Sequence, residues 1–350
     1  MLRRALGVLL LFVAACGSGD TTAVERAGDA PQQLPDVQLP APLTTEPPAS
    51  TSTVPPPTEG AVTEQAASPA LPAPVQPARA EPWTLDVYRG FGAWLDVFDW
   101  SVTFGPSPDR IVGPEHIDHM AAEGVETIYI QASRWNSPED ILEPDRLQGL
   151  IDRAHGHGMA VVAWYLPTMV DPETDLRRML AMVDMDFDGF GVDIEARDVE
   201  DVAERNRRLL DISARLEAAL EGRPLAAIVM EPVIMEDVNP RFWPDYPWMG
   251  LAQHYDVWLP MSYWTNRRGP WRDAHTYTAE NIARIRAHIG QPDAPVHTIG
   301  GIGDETTVAD LHGMVAAAVE QRAIGGSIYD YPTTDPSFWP VLRAFRSGAG

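Results

Sequence analysis

Short apolar runs alternate with amphipathic stretches from residue 83 to residue 350, and this alternation most constrains the fold. The amphipathic stretches predict helices over 114–123, 144–157, 172–185, 199–221, 279–289 and 307–323; several begin at Pro or Asp and several end at Gly. Strands that are apolar on both faces and are followed by helices indicate a parallel sheet covered by helices. The apolar runs predict strands over 89–97, 125–131, 160–165, 189–194, 226–230, 257–262, 296–299 and 326–329.

Eight such units in 268 residues match a closed (β/α)8 barrel in one domain over 83–350. The fifth helix is the weakest prediction, because the segment 239–254 is rich in Pro and Trp. An open, doubly wound sheet is the alternative, but no Gly-rich phosphate loop follows the first strand.

The first 15 residues have the pattern of a secretory signal: Arg3 and Arg4 precede an uncharged apolar run that ends in small residues. Cys16, the only cysteine of the chain, follows directly. This arrangement resembles the bacterial lipobox, which implies a lipid anchor on Cys16 and an extracytoplasmic protein attached to the cell membrane. An ordinary signal peptide followed by a chance cysteine is the alternative.

The segment 16–82 predicts a disordered tether. It has no aromatic residue after Cys16 and carries 14 of the 33 prolines, so it cannot bury enough apolar surface to offset its ordering entropy. All 11 tryptophans lie in 83–350. We therefore expect an extended spacer that leads to the folded barrel.

Charge and residue usage exclude several function classes. The chain carries a net charge of −24 and has no lysine, so it has no Schiff-base or P-loop lysine. An acidic domain repels phosphate backbones, so nucleic acid is not an expected partner. We expect a monomer without a cofactor. Histidine ligands are missing at the strand ends, which leaves a divalent-metal hydrolase as the weakest alternative.

Polar and aromatic residues follow the predicted strands, at the end of the barrel where active sites lie. Flat rings stack on sugar faces while carboxylates bind hydroxyls, so this pattern predicts a polysaccharide or oligosaccharide site. The predicted substrate-binding residues are Asp96, Gln131, Trp135, Trp164, Glu231, Trp264, Tyr329 and Asp330.

The segment 187–195 carries the sharpest pattern, Phe-Asp-Gly-Phe-Gly-Val-Asp-Ile-Glu. Strand side chains alternate, so Gly191, Asp193 and Glu195 point into the barrel mouth. Two carboxyls this close favour one neutral acid, as protonation of a glycosidic oxygen requires. Alternatively, these acids cap the next helix or bind Arg197.

This segment resembles the strand-4 signature of chitinase-like glycoside hydrolases of family 18, Asp-Gly-x-Asp-x-Asp-x-Glu. Met261-Ser262-Tyr263 resembles that family's Met-x-Tyr, and the strand before Tyr329 is similar to the one that ends in its floor Trp. The resemblance implies that Glu195 is the acid/base, that Asp193 orients a substrate acetamido group and that Tyr263 binds its carbonyl. The substrate amide is then the nucleophile.

Two positions depart from the family pattern: Gly191 replaces its middle Asp, and Trp264 stands where Asp is common. These changes affect the substrate-assisted mechanism more than the glycosidase class. A two-carboxylate scheme that pairs Glu195 with Glu231, Asp304 or Glu305 is also open.

The leading hypothesis is therefore a secreted, membrane-anchored glycoside hydrolase acting on a polysaccharide, which possibly contains N-acetylhexosamine. A catalytically inactive barrel that binds glycans is the alternative. His155 and His157 have metal-pair spacing, but they precede strand 3, at the opposite end of the barrel, and are not expected to bind metal.

Overall fold

The computed structural model describes residues 84–107 and 111–347. The predicted signal sequence over 1–15, Cys16, the tether over 16–82 and the first domain residue, Trp83, lie outside the described residues. No helix in the described part of the chain is both long enough and apolar enough to cross a membrane.

Eight parallel strands confirm the predicted barrel. They pair in the order β6-β5-β4-β3-β2-β1-β8-β7. Two parallel bridges, Trp258 to Val296 and Met261 to Ile299, join β6 to β7 and bring the ring close to full closure. The strands are β1 (Gly90–Leu95), β2 (Thr127–Gln131), β3 (Ala160–Tyr165), β4 (Gly189–Ile194), β5 (Leu225–Val229), β6 (Val257–Pro260), β7 (His297–Ile302) and β8 (Gly325–Tyr329).

Helices surround this ring. Side-chain caps close their first turns: Asp201, for example, accepts a hydrogen bond from the Glu204 backbone N–H at 3.1 Å, so α5 begins three residues later than predicted. The helices are α1 (Val97–Trp100), α2 (Pro114–Glu123), α3 (Pro144–Gly156), α4 (Pro172–Val183), α5 (Val202–Leu220), α6 (Trp248–Leu251), α7 (Ala274–His288), α8 (Val308–Glu320) and α9 (Trp339–Leu342).

Several element boundaries differ from the prediction for local reasons. The first strand ends at Leu95 because Asp96 already caps α1. Helix α7 begins five residues earlier than predicted, because Asp273 accepts a hydrogen bond from the Thr276 N–H at 2.8 Å. Between β5 and β6 the helical segments are short, a π-helix (Ile234–Val238) and the four residues of α6, in agreement with the weak pattern there.

The inner face of the barrel is packed with large side chains. Trp94 stacks on Tyr129 with a centroid distance of 4.4 Å and meets Trp164 edge-on at 5.9 Å. Below this aromatic layer, the imidazole of His297 lies 2.9 Å from the Ser327 hydroxyl, and burial lowers its pKa to about 4. The interior is therefore a solid core in which the His297–Ser327 pair is buried, and the carboxyls gather at its upper end.

Candidate active site

Strand β4 places two carboxyls at the carboxyl end of the barrel. Asp193 occupies the inner face and is only 6% exposed, while Glu195 follows the last strand residue and is half-buried. The Oδ1 atom of Asp193 is buried and has no hydrogen-bond partner among the described residues. A buried acceptor without a partner is costly, and such groups concentrate at functional sites.

Burial sets the protonation of these two acids. Desolvation raises the pKa of Asp193 well above its ordinary value, and the charge of Glu195 raises it further. Desolvation and then the charge of Glu231 raise the pKa of Glu195 to about 7, against a smaller lowering by Arg197. Glu195 can therefore hold a proton near neutral pH and also lose it, which a general acid and base must do.

Neither alternative role proposed for Glu195 is seen. The cap of α5 is Asp201. The Arg197 guanidinium lies over the Phe242 ring, 4.3 Å from its centroid. In residues 84–107 and 111–347 no hydrogen bond or ion pair within 4.0 Å joins Arg197 to Glu195. The Glu195 carboxyl is thus not held by a cationic side chain.

Tyr263, which follows β6, lies close to the same carboxyls. Its side chain is buried, and the charges of Glu195, Asp193 and Glu231 add to desolvation in raising the pKa of its hydroxyl. Its backbone N–H donates to Glu231 Oε1 at 3.1 Å. The structure therefore brings together the three residues predicted to be catalytic, Asp193, Glu195 and Tyr263.

Glu231 supports this group from inside the protein. It is fully buried, and its Oε1 lies 3.5 Å from a guanidinium nitrogen of Arg267. Arg267 in turn donates from Nε to the Tyr277 hydroxyl at 2.8 Å. Glu231 therefore holds the backbone of Tyr263, and its charge raises the pKa of Glu195, although its side chain does not face solvent.

The four aromatic residues predicted to bind substrate lie in three different environments. Trp164 and Tyr329 belong to the inner aromatic layer and are almost fully buried. Trp135 is 48% exposed on the loop after β2. Trp264 is fully buried, and a Cβ atom added at Gly300 of β7 would lie 2.8 Å from its ring. The glycines of β7 therefore make room for Trp264, which presents no face to solvent.

A second group of carboxyls lies across the barrel mouth, after β8 and β1, and we name Asp96, Asp99 and Asp330 the acidic cluster. One oxygen of each lies within 4.8 Å of the others. The Tyr329 hydroxyl donates to Asp96 Oδ2 at 2.9 Å, and Gln131 accepts from the backbone N–H that follows Asp96 at 3.1 Å. Burial raises the pKa of all three carboxyls, that of Asp330 to about 7.

The space in front of Gly191 is filled by apolar atoms. A Cβ atom at this position would lie 3.1 Å from Ile228 Cδ1 and 3.5 Å from Trp164 Cβ. A larger side chain at position 191 therefore needs Ile228 to move. Ile228 of β5 and Trp164 of β3 thus pack against the position that Gly191 leaves without a side chain.

One residue near this site was not predicted. Tyr246, in the aromatic-rich segment before α6, is buried and its hydroxyl has no hydrogen-bond partner among the described residues. Desolvation, then the charges of Tyr255 and Asp193, raise its pKa, which places it near Asp193. The only sequence signal for Tyr246 is the concentration of Trp and Tyr residues over 243–248. These residues follow neither the strand period nor the helix period.

The two histidines set aside from the sequence contact aspartate side chains at the other end of the barrel. His155 Nε2 is 2.8 Å from Asp188 Oδ2, and His157 Nε2 is 2.6 Å from Asp118 Oδ1. These contacts account for the spacing of the two histidines without a metal. Asp304 and Glu305, after β7, are exposed.

Comparisons with known proteins support the fold. The chain is similar to an endo-β-1,4-mannanase from Thermotoga petrophila, with 10% identity, a TM-score of 0.55 and coverage of 75% of this chain and 78% of that one. The C-terminal domain of a chitinase, described as putative, from Desulfitobacterium hafniense has 12% identity and a TM-score of 0.56 over 73% and 99%. The spore cortex-lytic enzyme SleL of Bacillus cereus has 12% identity and a TM-score of 0.52 over 74% and 75%.

No family model matches the sequence, and no curated protein matches it. At these identities the likeness shows the shared barrel fold, so the activity must be argued from the side chains of this chain.

Proposed function

We propose that this protein is a glycoside hydrolase that cleaves a polysaccharide, with Glu195 as its general acid and base. The observation that carries the proposal is the position of Glu195 at the end of β4, where burial and the charge of Glu231 raise its pKa to about 7. The similarity to barrels of chitinases and a mannanase supports the same reaction class.

In the proposed reaction, the neutral Glu195 carboxyl donates its proton to the glycosidic oxygen. The bond between that oxygen and the anomeric carbon then breaks as a nucleophilic oxygen of the substrate bonds to that carbon, and the leaving sugar departs as an alcohol. The Glu195 carboxylate next takes a proton from water, whose oxygen bonds to the anomeric carbon. The first step needs a protonated acid and the second an ionised base, and a pKa of about 7 serves both.

The neighbours of Glu195 support a substrate that contains N-acetylhexosamine. Asp193 has a buried oxygen without a partner, and Tyr263 contributes a buried hydroxyl beside it. An acetamido group supplies one N–H donor and one carbonyl acceptor, which complement an acceptor and a donor of this kind. In this proposal the acetamido oxygen attacks the anomeric carbon as the leaving group departs, and water later opens the resulting ring.

Hydrolysis of N-acetylglucosamine and glucose oligosaccharides by the wild-type domain and by Glu195→Gln tests the proposal. We expect the variant to lose turnover by about 10²–10⁴-fold while oligosaccharide binding is kept. Glu200→Gln removes an exposed carboxyl from the same loop and should leave turnover unchanged. Equal turnover of wild type and Glu195→Gln would reject the assignment.

The alternative, an inactive barrel that binds glycans, is favoured by one observation. Ile228 fills the place in front of Gly191 where the family carries a carboxyl. For such a protein, calorimetry would detect oligosaccharide binding by the wild-type domain while product analysis found no cleavage.

The proposed location is the outer face of the cell membrane, where a lipid on Cys16 would anchor the barrel through the tether over 16–82. The lipobox pattern at Cys16 supports this proposal. Labelled palmitate should enter the full-length wild-type chain and not Cys16→Ser. Equal labelling of both chains would contradict it.

A further inference from the structure

The acidic cluster joins the two strands that are neighbours at the barrel mouth, β1 and β8. Asp96 and Asp99 follow β1, and Asp330 follows β8. All three are buried, with exposed fractions of 8%, 3% and 0%. Glu195 follows β4, on the other side of the mouth, and the Tyr329 ring, whose hydroxyl donates to Asp96, lies 6.1 Å from the Tyr263 ring, so the acidic cluster adjoins the proposed catalytic group.

Local hydrogen bonds use only one oxygen of most of these carboxylates. Asp96 Oδ1 accepts from the backbone N–H groups of Phe98 and Asp99 at 2.7 and 3.2 Å. Asp99 Oδ2 accepts from the Asp96 N–H at 2.8 Å. Asp330 Oδ1 accepts from the N–H and hydroxyl of Thr333 at 3.2 and 2.8 Å.

The second oxygen of Asp330 has no such role. Its Oδ2 atom is buried and has no hydrogen-bond partner among the described residues. No arginine or histidine forms an ion pair with the acidic cluster in residues 84–107 and 111–347. Arg134 acts on Asp96 only through its charge, and its guanidinium lies over the Phe98 ring at 4.9 Å. Three buried carboxylates thus share one small volume without a cationic side chain to balance them.

We propose that the acidic cluster binds one Ca²⁺ ion through an oxygen from each of Asp96, Asp99 and Asp330. The ligands are all hard oxygen atoms, as Ca²⁺ and Mg²⁺ require, and neither cysteine nor histidine contributes. The oxygens lie within 4.8 Å of one another. Ca²⁺ accepts irregular sets of oxygen ligands, whereas Mg²⁺ demands a near-ideal octahedron, so three carboxyls that local hydrogen bonds already hold favour Ca²⁺.

The proposed ion would connect two capped turns. The helix α1 begins at Asp96, and the 3-10 turn (Tyr331–Thr333) begins at Asp330. The Tyr329 hydroxyl already donates to Asp96 Oδ2, so the ion would lie close to the aromatic layer of the barrel. This proposal adds a metal to a protein whose sequence led us to expect none, and it does not depend on hydrolase activity.

Terbium luminescence tests the site directly, because Tb³⁺ takes Ca²⁺ sites and is excited through nearby tyrosine and tryptophan rings. We expect the chelator-treated domain over 83–350 to bind one Tb³⁺ ion and to release it when Ca²⁺ is added. Calorimetry with CaCl₂ should give one ion per chain. Mg²⁺ should compete at least tenfold more weakly.

Asp330→Asn and Asp99→Asn should each weaken Ca²⁺ binding at least tenfold, while asparagine keeps the oxygen that accepts the local hydrogen bond. Asp198→Asn removes an exposed carboxyl and serves as the matched control. Glu195→Gln should bind Ca²⁺ as the wild type does, whatever its effect on hydrolysis.

Three results would overturn the proposal: no heat and no luminescence with the wild-type domain, binding that Asp330→Asn and Asp99→Asn leave unchanged, or an equal loss in Asp198→Asn. Absence of both signals would mean that the carboxyls of the acidic cluster are neutralised by protons and not by a cation.

Discussion

Buried carboxyls lie on both sides of the barrel mouth, but their surroundings differ. At the end of β4, Asp193 and Glu195 cap no helix and bind no arginine within the described residues, and their pKa values rise mainly through burial. After β8 and β1, Asp96 and Asp330 cap short helical turns through one oxygen. The first side keeps carboxyls available for chemistry, whereas the second uses them to hold loops and leaves an oxygen for a cation.

Glu231 is the exception on the β4–β6 side, since it has a cationic partner. Its pair with Arg267 is fully buried, so each charge depends on the other. The carboxyls at the barrel mouth therefore fall into three groups. Glu231 has a cationic partner, Asp96 and Asp330 cap helical turns, and Asp193 and Glu195 do neither. Substitutions can test each of these states.

The largest expected effect is from Arg267→Ala, which leaves the Glu231 charge buried without its partner. We expect a loss of about 3–5 kcal/mol in the free energy of unfolding, measured by urea denaturation. Arg322→Ala removes a pair with Asp293 whose side chains are 76% and 81% exposed, and should change stability little. Similar losses of unfolding free energy in the two variants would show that the buried Glu231 does not depend on the charge of Arg267.

Gly191→Asp tests whether the β4 side tolerates one more carboxyl. The new side chain would press on Ile228, so we expect a loss of about 1–3 kcal/mol by thermal or urea unfolding. The same change in an Ile228→Ala background should cost less, because the smaller side chain leaves room. An equal cost in both backgrounds would contradict packing as the reason for Gly191.

The pH dependence of stability distinguishes the carboxyl of Glu195 from an exposed one. Its pKa rises from 4.5 to about 7 on folding, so the folded chain binds the proton more tightly. Wild-type stability should therefore fall, relative to Glu195→Gln, as pH rises from about 4.5 through about 7. Allowing for partial exposure, we expect a difference of about 2 kcal/mol.

Urea unfolding of both chains at pH 4.5 and pH 8 gives this difference. Glu200→Gln is the control, because its exposed carboxyl should show no such trend. If the free energies of unfolding of wild type and Glu195→Gln differ by the same amount at both pH values, burial does not raise the pKa of Glu195.

The smallest effect is expected on the capped side. In the presence of a chelator, Asp330→Ala loses the acceptor for Thr333 and should cost about 1 kcal/mol, measured by thermal unfolding. Asp330→Asn keeps an acceptor and should cost less. If the two variants are equally unstable, charge and not capping would be the main role of Asp330 without metal.

Much of this arrangement could be predicted because it is local in sequence. The strand period placed Asp193 and Glu195 on one face of β4, and the change from strand to helix placed Asp96 and Asp330 at strand ends. The positions of Trp264 and Tyr246 could not be predicted. One packs against glycines of β7, and the other approaches Asp193 from an irregular segment, so both depend on contacts between distant parts of the chain.

The sequence by itself determined the eightfold alternation, the parallel barrel and the end of it at which polar side chains gather, because periodicity and capping act over a few residues. Only the tertiary structure decided which of those side chains stay near solvent and which are paired or capped. The pairing of β4 with β5 brings Ile228 against Gly191, the segments after β5 and β6 bring Arg267 against Glu231, and closure of β8 on β1 brings Asp330 against Asp96. Burial and neighbouring charge set the chemistry of a carboxyl, and both depend on those long-range contacts.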